Sequence, residues 1–217
     1  MKEEYTFKPG FQFENIFSGP FFSIKTKEAL FFYDYETQTF IRKIDDISPI
    51  NVIWSDDKKF VSLICEEVTY VLQCNEKDIE DYIEKVVNSN EEAEEDFEDG
   101  CESAFEVYLE IKENIVSGLW YENVFIYLNN KNKLNYTIKD QIFSITTLNG
   151  NYYLLGFYTN SNRLYFMSKT FQLISYYFPI SFINYQSNIL KEDYDTAEKV
   201  SFFVHNFHII RIIPKFL

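Results

Sequence analysis

The sequence predicts a mainly β fold: a partial β-propeller of about three to four blades, carrying an inserted acidic helical excursion and ending in a C-terminal helix. Three observations predict it. Short apolar or alternating runs, separated by turn signals, fill residues 20–74 and return from Leu119 to Phe178. The hydrophobic period becomes helical in the middle of the chain and again near its end. With the excursion removed, about twelve strands remain over roughly 115 residues, close to the four strands per 40 or so residues of a propeller blade.

Taken in order, the first runs are "PFFSIKT", "ALFFYDY", "TFIRKI", "INVIW", "KFVSLIC" and "VTYVLQC", divided by "YETQ", "DDISP", "SDDK" and "EE". In "KFVSLIC" and "VTYVLQC" every second residue can face a core. The stretch "SPINVIWSDDKKFVSLICEEVTYVL" has a degenerate WD-repeat cadence, a proline turn, a strand with Trp54 and a hairpin, without Gly-His or Trp-Asp signatures. Residues 76–88 then place Ile79, Tyr82, Ile83, Val86 and Val87 along one helical face. "SNEEAEEDFEDG" follows, with seven acids in twelve residues, a block whose self-repulsion keeps it solvated. A second helix is expected from about 101 to 116, with Phe105, Tyr108, Leu109, Ile115 and Val116 as its stripe and Ser117-Gly118 as its stop. The strands "LWYENVFIYLN", "KLNYTI", "QIFSITTL", "YYLLGFY", "RLYFMSK" and "QLISYYF" come next. Their turns fit hairpins, and Asn149-Gly150 is the strongest signal among them. "PISFINYQSNILKEDYDTAEKV" reads as helical, with Pro179 just before its start.

Composition narrows the function classes. At 46% hydrophobic and 19% aromatic, the 217 residues can build a core, so disorder is not expected for most of the chain. The formal charge of −14 is concentrated, because residues 76–113 hold 16 acids and 3 bases while the remainder is nearly balanced. A basic footprint for nucleic acid or for an anionic membrane leaflet is missing. Cys65, Cys74 and Cys101 are odd in number and irregularly spaced, which implies no disulfide framework and suits a reducing compartment. Neither a signal peptide nor a membrane span is expected, since no run of about 18 uncharged apolar residues occurs.

Candidate chemistry is sparse. His205 and His208 are spaced H-x-x-H, yet a zinc site needs two further ligands at matching spacing and none is near. The acid block lacks two carboxylates held apart in a cleft, and lacks the alternation of a Ca²⁺ loop. It can offer a docking site for a basic partner segment, in which case reversing Glu91, Glu92, Glu94 and Glu95 to Lys cuts binding at low salt. There is no phosphate loop, no dinucleotide fingerprint and no Ser or Cys with a partnered base. Trp54 and Trp120, both in strands, are expected in the core rather than as exposed anchors. No catalytic, cofactor-binding or metal-binding residue is assigned, and no cofactor is expected.

An ordered series of stretches carries a family resemblance: "TFKPGFQFENIFSGPFFSIKT", "LFFYDYETQTFIRKIDDISPINVIWSDDKKFVSLICEEVTYVLQCN", "EDGCESAFEVYLEIKENIVSGLWYENVFIYLNNKNKLNY", "YYLLGFYTNSNRLYFMSKTFQLISYYF" and "INYQSNILKEDYDTAEKV". Together they resemble the β′ subunit of coatomer, the COPI coat, from about Thr6 to Lys199. The resemblance implies two seven-bladed propellers followed by an α-solenoid. It assigns residues 1–178 to part of the second propeller, with a helical insertion at about 76–117, and 179–217 to the start of the solenoid plus a divergent apolar tail. It implies a non-enzymatic scaffold of Golgi-to-ER and intra-Golgi vesicle transport. The partners would be other coatomer subunits, chiefly the α subunit, with indirect membrane contact and no nucleic acid. The setting would be cytoplasmic, peripheral on Golgi and COPI vesicle membranes. The blades that read cargo dilysine tails lie in the first propeller and are absent. The tail "VSFFVHNFHIIRIIPKFL" matches nothing in the family, and a truncated gene model or intron read-through is expected to account for it. The alternative is a generic propeller module that binds a basic peptide. In either case a partial ring leaves bare blade faces, each worth on the order of 10 kcal/mol when covered, so the chain alone is expected to be poorly soluble or oligomeric.

Overall fold

The computed structural model describes residues 10–89 and 99–205. Among these residues fifteen strands form four antiparallel sheets, each a meander of consecutive strands, and three helices accompany them. Sheet I holds β1 (Asn15–Phe17), β2 (Phe22–Lys25), β3 (Ala29–Tyr33) and β4 (Phe40–Asp45). Sheet II holds β5 (Asn51–Trp54), β6 (Phe60–Ile64), β7 (Thr69–Cys74) and β8 (Phe105–Ile111). Sheet III holds β9 (Ile115–Tyr121), β10 (Val124–Asn129), β11 (Lys133–Ile138) and β12 (Gln141–Thr147), and sheet IV holds β13 (Tyr152–Tyr158), β14 (Arg163–Ser168) and β15 (Leu173–Tyr177). The helices are α1 (Glu76–Ser89), α2 (Ile180–Leu190) and α3 (Tyr194–His205). The architecture is therefore a partial β-propeller with four sheets as blades. Contacts divide it into two compact units, residues 1–115 and 116–217.

In the first unit, alternation turns one face of sheet I toward one face of sheet II. Leu30, Phe32 and Ile41 meet Val61, Leu63 and Leu72 in a shared core. Trp54, half-buried, packs against this core, with Phe21, Phe32 and Phe105 rings about it at 5.9, 6.1 and 6.1 Å. Gly19 is required there, because a Cβ on it would stand 2.2 Å from the Trp54 ring.

In the second unit, Ile126, Leu128 and Leu134 of sheet III meet Leu154, Leu164 and Phe166 of sheet IV. The helical end of the chain joins that core through Phe178 and Ile183. The Tyr136 hydroxyl donates to Gln186 Oε1, and Lys139 Nζ donates to the Leu190 carbonyl at 2.7 Å. Burial pushes the Tyr136 phenol above its ordinary range, with the Gln186 hydrogen bond pulling the other way. Asn162, at the end of the turn between β13 and β14, ties sheet IV to the start of α2. It lies in the left-handed region at φ 52, its carbonyl accepts from Phe178 N at 2.7 Å, and its Oδ1 accepts from Ile180 N at 3.2 Å, capping α2.

The sequence expectations hold for α1, which runs from Glu76 to Ser89, and for the apolar strands on either side. They need correction in four places. The second helix expected over 101–116 does not form. A short 3₁₀ turn at Glu102–Ala104 leads directly into β8, and β9 begins at Ile115, so Ser117-Gly118 lies inside a strand. "FEVYLEI" pairs with β7 from Phe105 to Ile111, with a bulge at Tyr108 that interrupts its alternation, and that ladder selects the strand over the helix. Asn149-Gly150 does not turn a hairpin, since it links β12 of sheet III to β13 of sheet IV, which do not pair. Fifteen strands replace about twelve. The C-terminal helical stretch is two helices, broken after Leu190 with Glu192 at φ 62.

Asn162→Ala removes the α2 cap and strains a left-handed residue, and is expected to cost about 2 kcal/mol. Asn162→Gly keeps the conformation and loses only the acceptor, so it should cost less. Urea unfolding followed by circular dichroism orders the three proteins.

Candidate interaction surfaces

The acidic excursion is a built part of sheet II rather than a loose loop at both ends. It leaves at Cys74, the last residue of β7, and returns at Phe105, the first of β8, and these two residues are paired in the sheet. Asn75 N donates to the Ala104 carbonyl at 2.9 Å across the neck. On the outgoing side, the helical period puts Ile79 fully into the first unit's core, with Tyr82 and Ile83 packed behind it. Val86 and Val87, one turn further on, are half-buried and exposed, so the stripe is used only over its first two turns.

The returning side lies along the outer edge of sheet I. Gly100 bridges to Arg42, Lys43 N donates to the Asp99 carbonyl at 3.0 Å, and Cys101 N donates to the Ile41 carbonyl at 2.7 Å. Arg42 Nη1 reaches the same Asp99 carbonyl at 3.3 Å. Gly100 has φ 76, and a Cβ there would stand 2.3 Å from the Ile41 carbonyl oxygen, so only glycine lets the backbone come this close. The excursion thus clasps the open edge of β4 to sheet II, which shields an edge that would otherwise offer unpaired backbone groups.

The remaining sequence candidates are placed as follows. Most of the acid block, residues 90–98, and His208 lie outside the described residues. His205 is the last residue of α3. Trp54 and Trp120 both face apolar surroundings, Trp120 against Phe125 at 5.2 Å. The three cysteines are free thiols; Cys74 and Cys101 are buried beside the neck, and Cys65 is half-buried. Burial, with Glu76 adding and Lys58 opposing, pushes the Cys74 thiol up to about 12, which disfavours its thiolate. Among the described residues no three His, Cys, Asp or Glu side chains are grouped to hold a metal, and no helix is long and apolar enough to cross a membrane.

Two surface features were not singled out in the sequence. An open cleft of about 440 Å³ lies at the loops of the first unit, lined by Lys25, Asp46, Cys65, Glu66, Glu67 and Tyr70 among others. It mixes both charges and converges no catalytic pair. The second feature is a charge division that follows the two units. Residues 1–115 hold 28 acids and 11 bases, a balance of −17, and residues 116–217 hold 6 acids and 9 bases, a balance of +3. From Gln141 to Lys191 there is no Asp or Glu at all. Counting acids per unit, rather than along a window, would have found it.

A family model described as the COPA/B second beta-propeller matches residues 1–168. The chain is 37% identical over 200 residues to coatomer subunit beta' of Rattus norvegicus, covering 92% of this chain and 21% of that protein. It is 34% identical over 199 residues to coatomer subunit beta' of Drosophila melanogaster, with the same coverage. The chain therefore spans about a fifth of the length of these relatives. Among solved structures, the computationally designed Ika4 protein aligns with a TM-score of 0.52 at 10% identity, over 82% of this chain and 99% of that one, a likeness of fold alone.

Two outcomes follow for the clasp. Gly100→Ala should cost about 2 kcal/mol or more, because a left-handed alanine is strained and its methyl meets backbone. Ile79→Ala should cost about 2–4 kcal/mol by opening a cavity under α1. In both variants amide exchange should rise first in β4 and α1. The Cys74 thiol adds a pH dependence: unfolded it ionises near 9, folded it stays protonated to about 12. The folded state then binds more protons in that window, so the urea midpoint should fall as pH rises from 9 toward 12, and Cys74→Ala should flatten that fall.

Proposed function

The chain belongs to the COPA/B second beta-propeller family, and from that premise we propose that it is a non-enzymatic scaffold component of the COPI coat. In this reading residues 1–178 are part of the second propeller and residues 179–217 begin the α-solenoid, with α2 and α3 as its first helical pair. The observation that carries it is the identity to coatomer subunit beta', which extends over nearly the whole of this chain rather than over one motif. The physical character of the surfaces supports it. The chain's chemistry is spent on packing sheets, clasping an edge and seating α2, and the buried Tyr136 phenol and Cys74 thiol are held in their neutral forms.

Its partners are other coatomer subunits, chiefly the α subunit. Its setting is the cytoplasmic face of Golgi and COPI vesicle membranes, reached through those partners, and its role is vesicle transport from Golgi to ER and within the Golgi. The acidic first unit is poorly suited to touch an anionic leaflet itself, since like charges repel across a Debye length. The competing reading, a propeller module for a basic peptide, draws support only from the acidic excursion.

Affinity capture with the tagged chain, followed by mass spectrometry, should recover the coatomer α subunit. Recovery of unrelated basic proteins alone would favour the competing reading. Reversing Glu91, Glu92, Glu94 and Glu95 to Lys should leave capture of the α subunit unchanged at low salt.

A further inference from the structure

Each of the four-stranded sheets ends on a fourth strand, β4, β8 or β12, whose outer edge lies at the margin of its sheet. An edge differs from a face: a further sheet stacked on either side leaves the backbone groups of the edge as they are. The edge of β4 is taken, because Asp99, Gly100 and Cys101 run beside it and Gly100 bridges to Arg42. The edge of β8 is guarded by the exposed carboxylates of Glu106 and Glu110 and by the bulge at Tyr108. The edge of β12 is neither covered nor charged. From Gln141 to Thr147 it holds no ionisable side chain and no proline, and its bulge comes only at Ile145, after four regular residues. Lys139 and Asp140 form a two-residue turn, which makes Ile138 and Gln141 a hydrogen-bonded pair. Counting on from there, Phe143 turns its backbone groups to β11, while Ile142 and Ser144 turn theirs outward. Among the described residues, those outward groups meet no backbone partner.

We infer that the outer edge of β12 takes an extended acidic segment of a partner protein as a fifth strand. The same molecule shows this chemistry on β4, where the segment laid along the edge carries Asp99 and the strand that receives it carries Arg42 and Lys43. At β12 the cations are Lys131 and Lys133, both exposed. They stand at the Thr147 end, since Lys133 pairs with Thr147 and Leu148 N donates to the Asn132 carbonyl at 2.8 Å. Asp140 stands at the opposite end, so the acids of the incoming segment belong toward Thr147. No Asp or Glu occurs from Gln141 to Lys191, so that stretch adds no carboxylate to repel them. This inference stands apart from coat membership, and its test needs no other coat subunit.

The probe is a fluorescein-labelled peptide of eight residues alternating valine with glutamate, compared with its valine–lysine counterpart. Fluorescence anisotropy with the 217-residue chain should show the glutamate peptide binding at least roughly tenfold more tightly, and more weakly as salt is raised. Unspecific attraction to a chain of net charge −14 would favour the lysine peptide instead, so the preference reports the site. Amide exchange at Ile142 and Ser144 should slow when the glutamate peptide binds. Ser144→Pro removes an outward N–H and leaves the ladder to β11 whole, and should weaken binding roughly tenfold. Lys131→Glu with Lys133→Glu should weaken it as much without touching the strand, which keeps the test open if the proline variant fails to fold. Three results overturn the inference: no binding of the glutamate peptide, protection at another strand with β12 amides unchanged, or a Lys131→Glu, Lys133→Glu protein that binds like the parent.

Discussion

Everything in this structure depends on covering sheets that are apolar on both faces. All five residues of β6 and all six of β10 are buried, so neither strand has a side for water. Strict alternation sends Val61 and Leu63 into the first core and points Ser62 and Ile64 the other way. A strand of this kind is stable only inside a stack of sheets, which is what a propeller supplies. The same constraint fixes small details. Gly19 exists because the Trp54 ring needs its space, and Gly118 because the Phe125 ring does, at 2.5 Å from where a Cβ would be.

The acidic excursion shows how such a stack accommodates charge. Among the described residues, the carboxylates of Glu76, Glu80, Asp81, Glu84, Asp99 and Glu102 stay outside, while Ile79, Cys101 and Ala104 enter the core and the Asp99–Cys101 backbone runs along β4. A segment that looks like an interruption of the fold is thus a fastening between two sheets. The charge division between the units follows from the same arrangement, since the excursion belongs entirely to the first unit.

What was legible in the sequence was whatever depends on near neighbours. The Ile79, Tyr82, Ile83 spacing fixed α1, and the alternating runs marked most strands. The family was legible too, because it rests on the order of many stretches rather than on one. What was not legible depended on a remote partner. Residues 101–116 contain both a helical stripe and a strand alternation, and a window of sixteen letters cannot choose between them. The choice was made by Thr69–Cys74, some thirty residues earlier, whose free edge offers a full ladder of hydrogen bonds. Asn149-Gly150 failed for the same reason: a turn signal reports that the chain bends, and cannot report whether the strands around it pair.

The sequence by itself determined the periods, the turns, the concentration of acid and the kinship of the chain, because these are properties of residues close together along it. The tertiary structure alone decided that "FEVYLEI" is a strand, that Gly100 is a close approach to Ile41, and that Asn149-Gly150 joins two sheets. Each of these is settled by which backbone lies within about 5 Å of which, and chain connectivity leaves that distance free until the sheets have stacked.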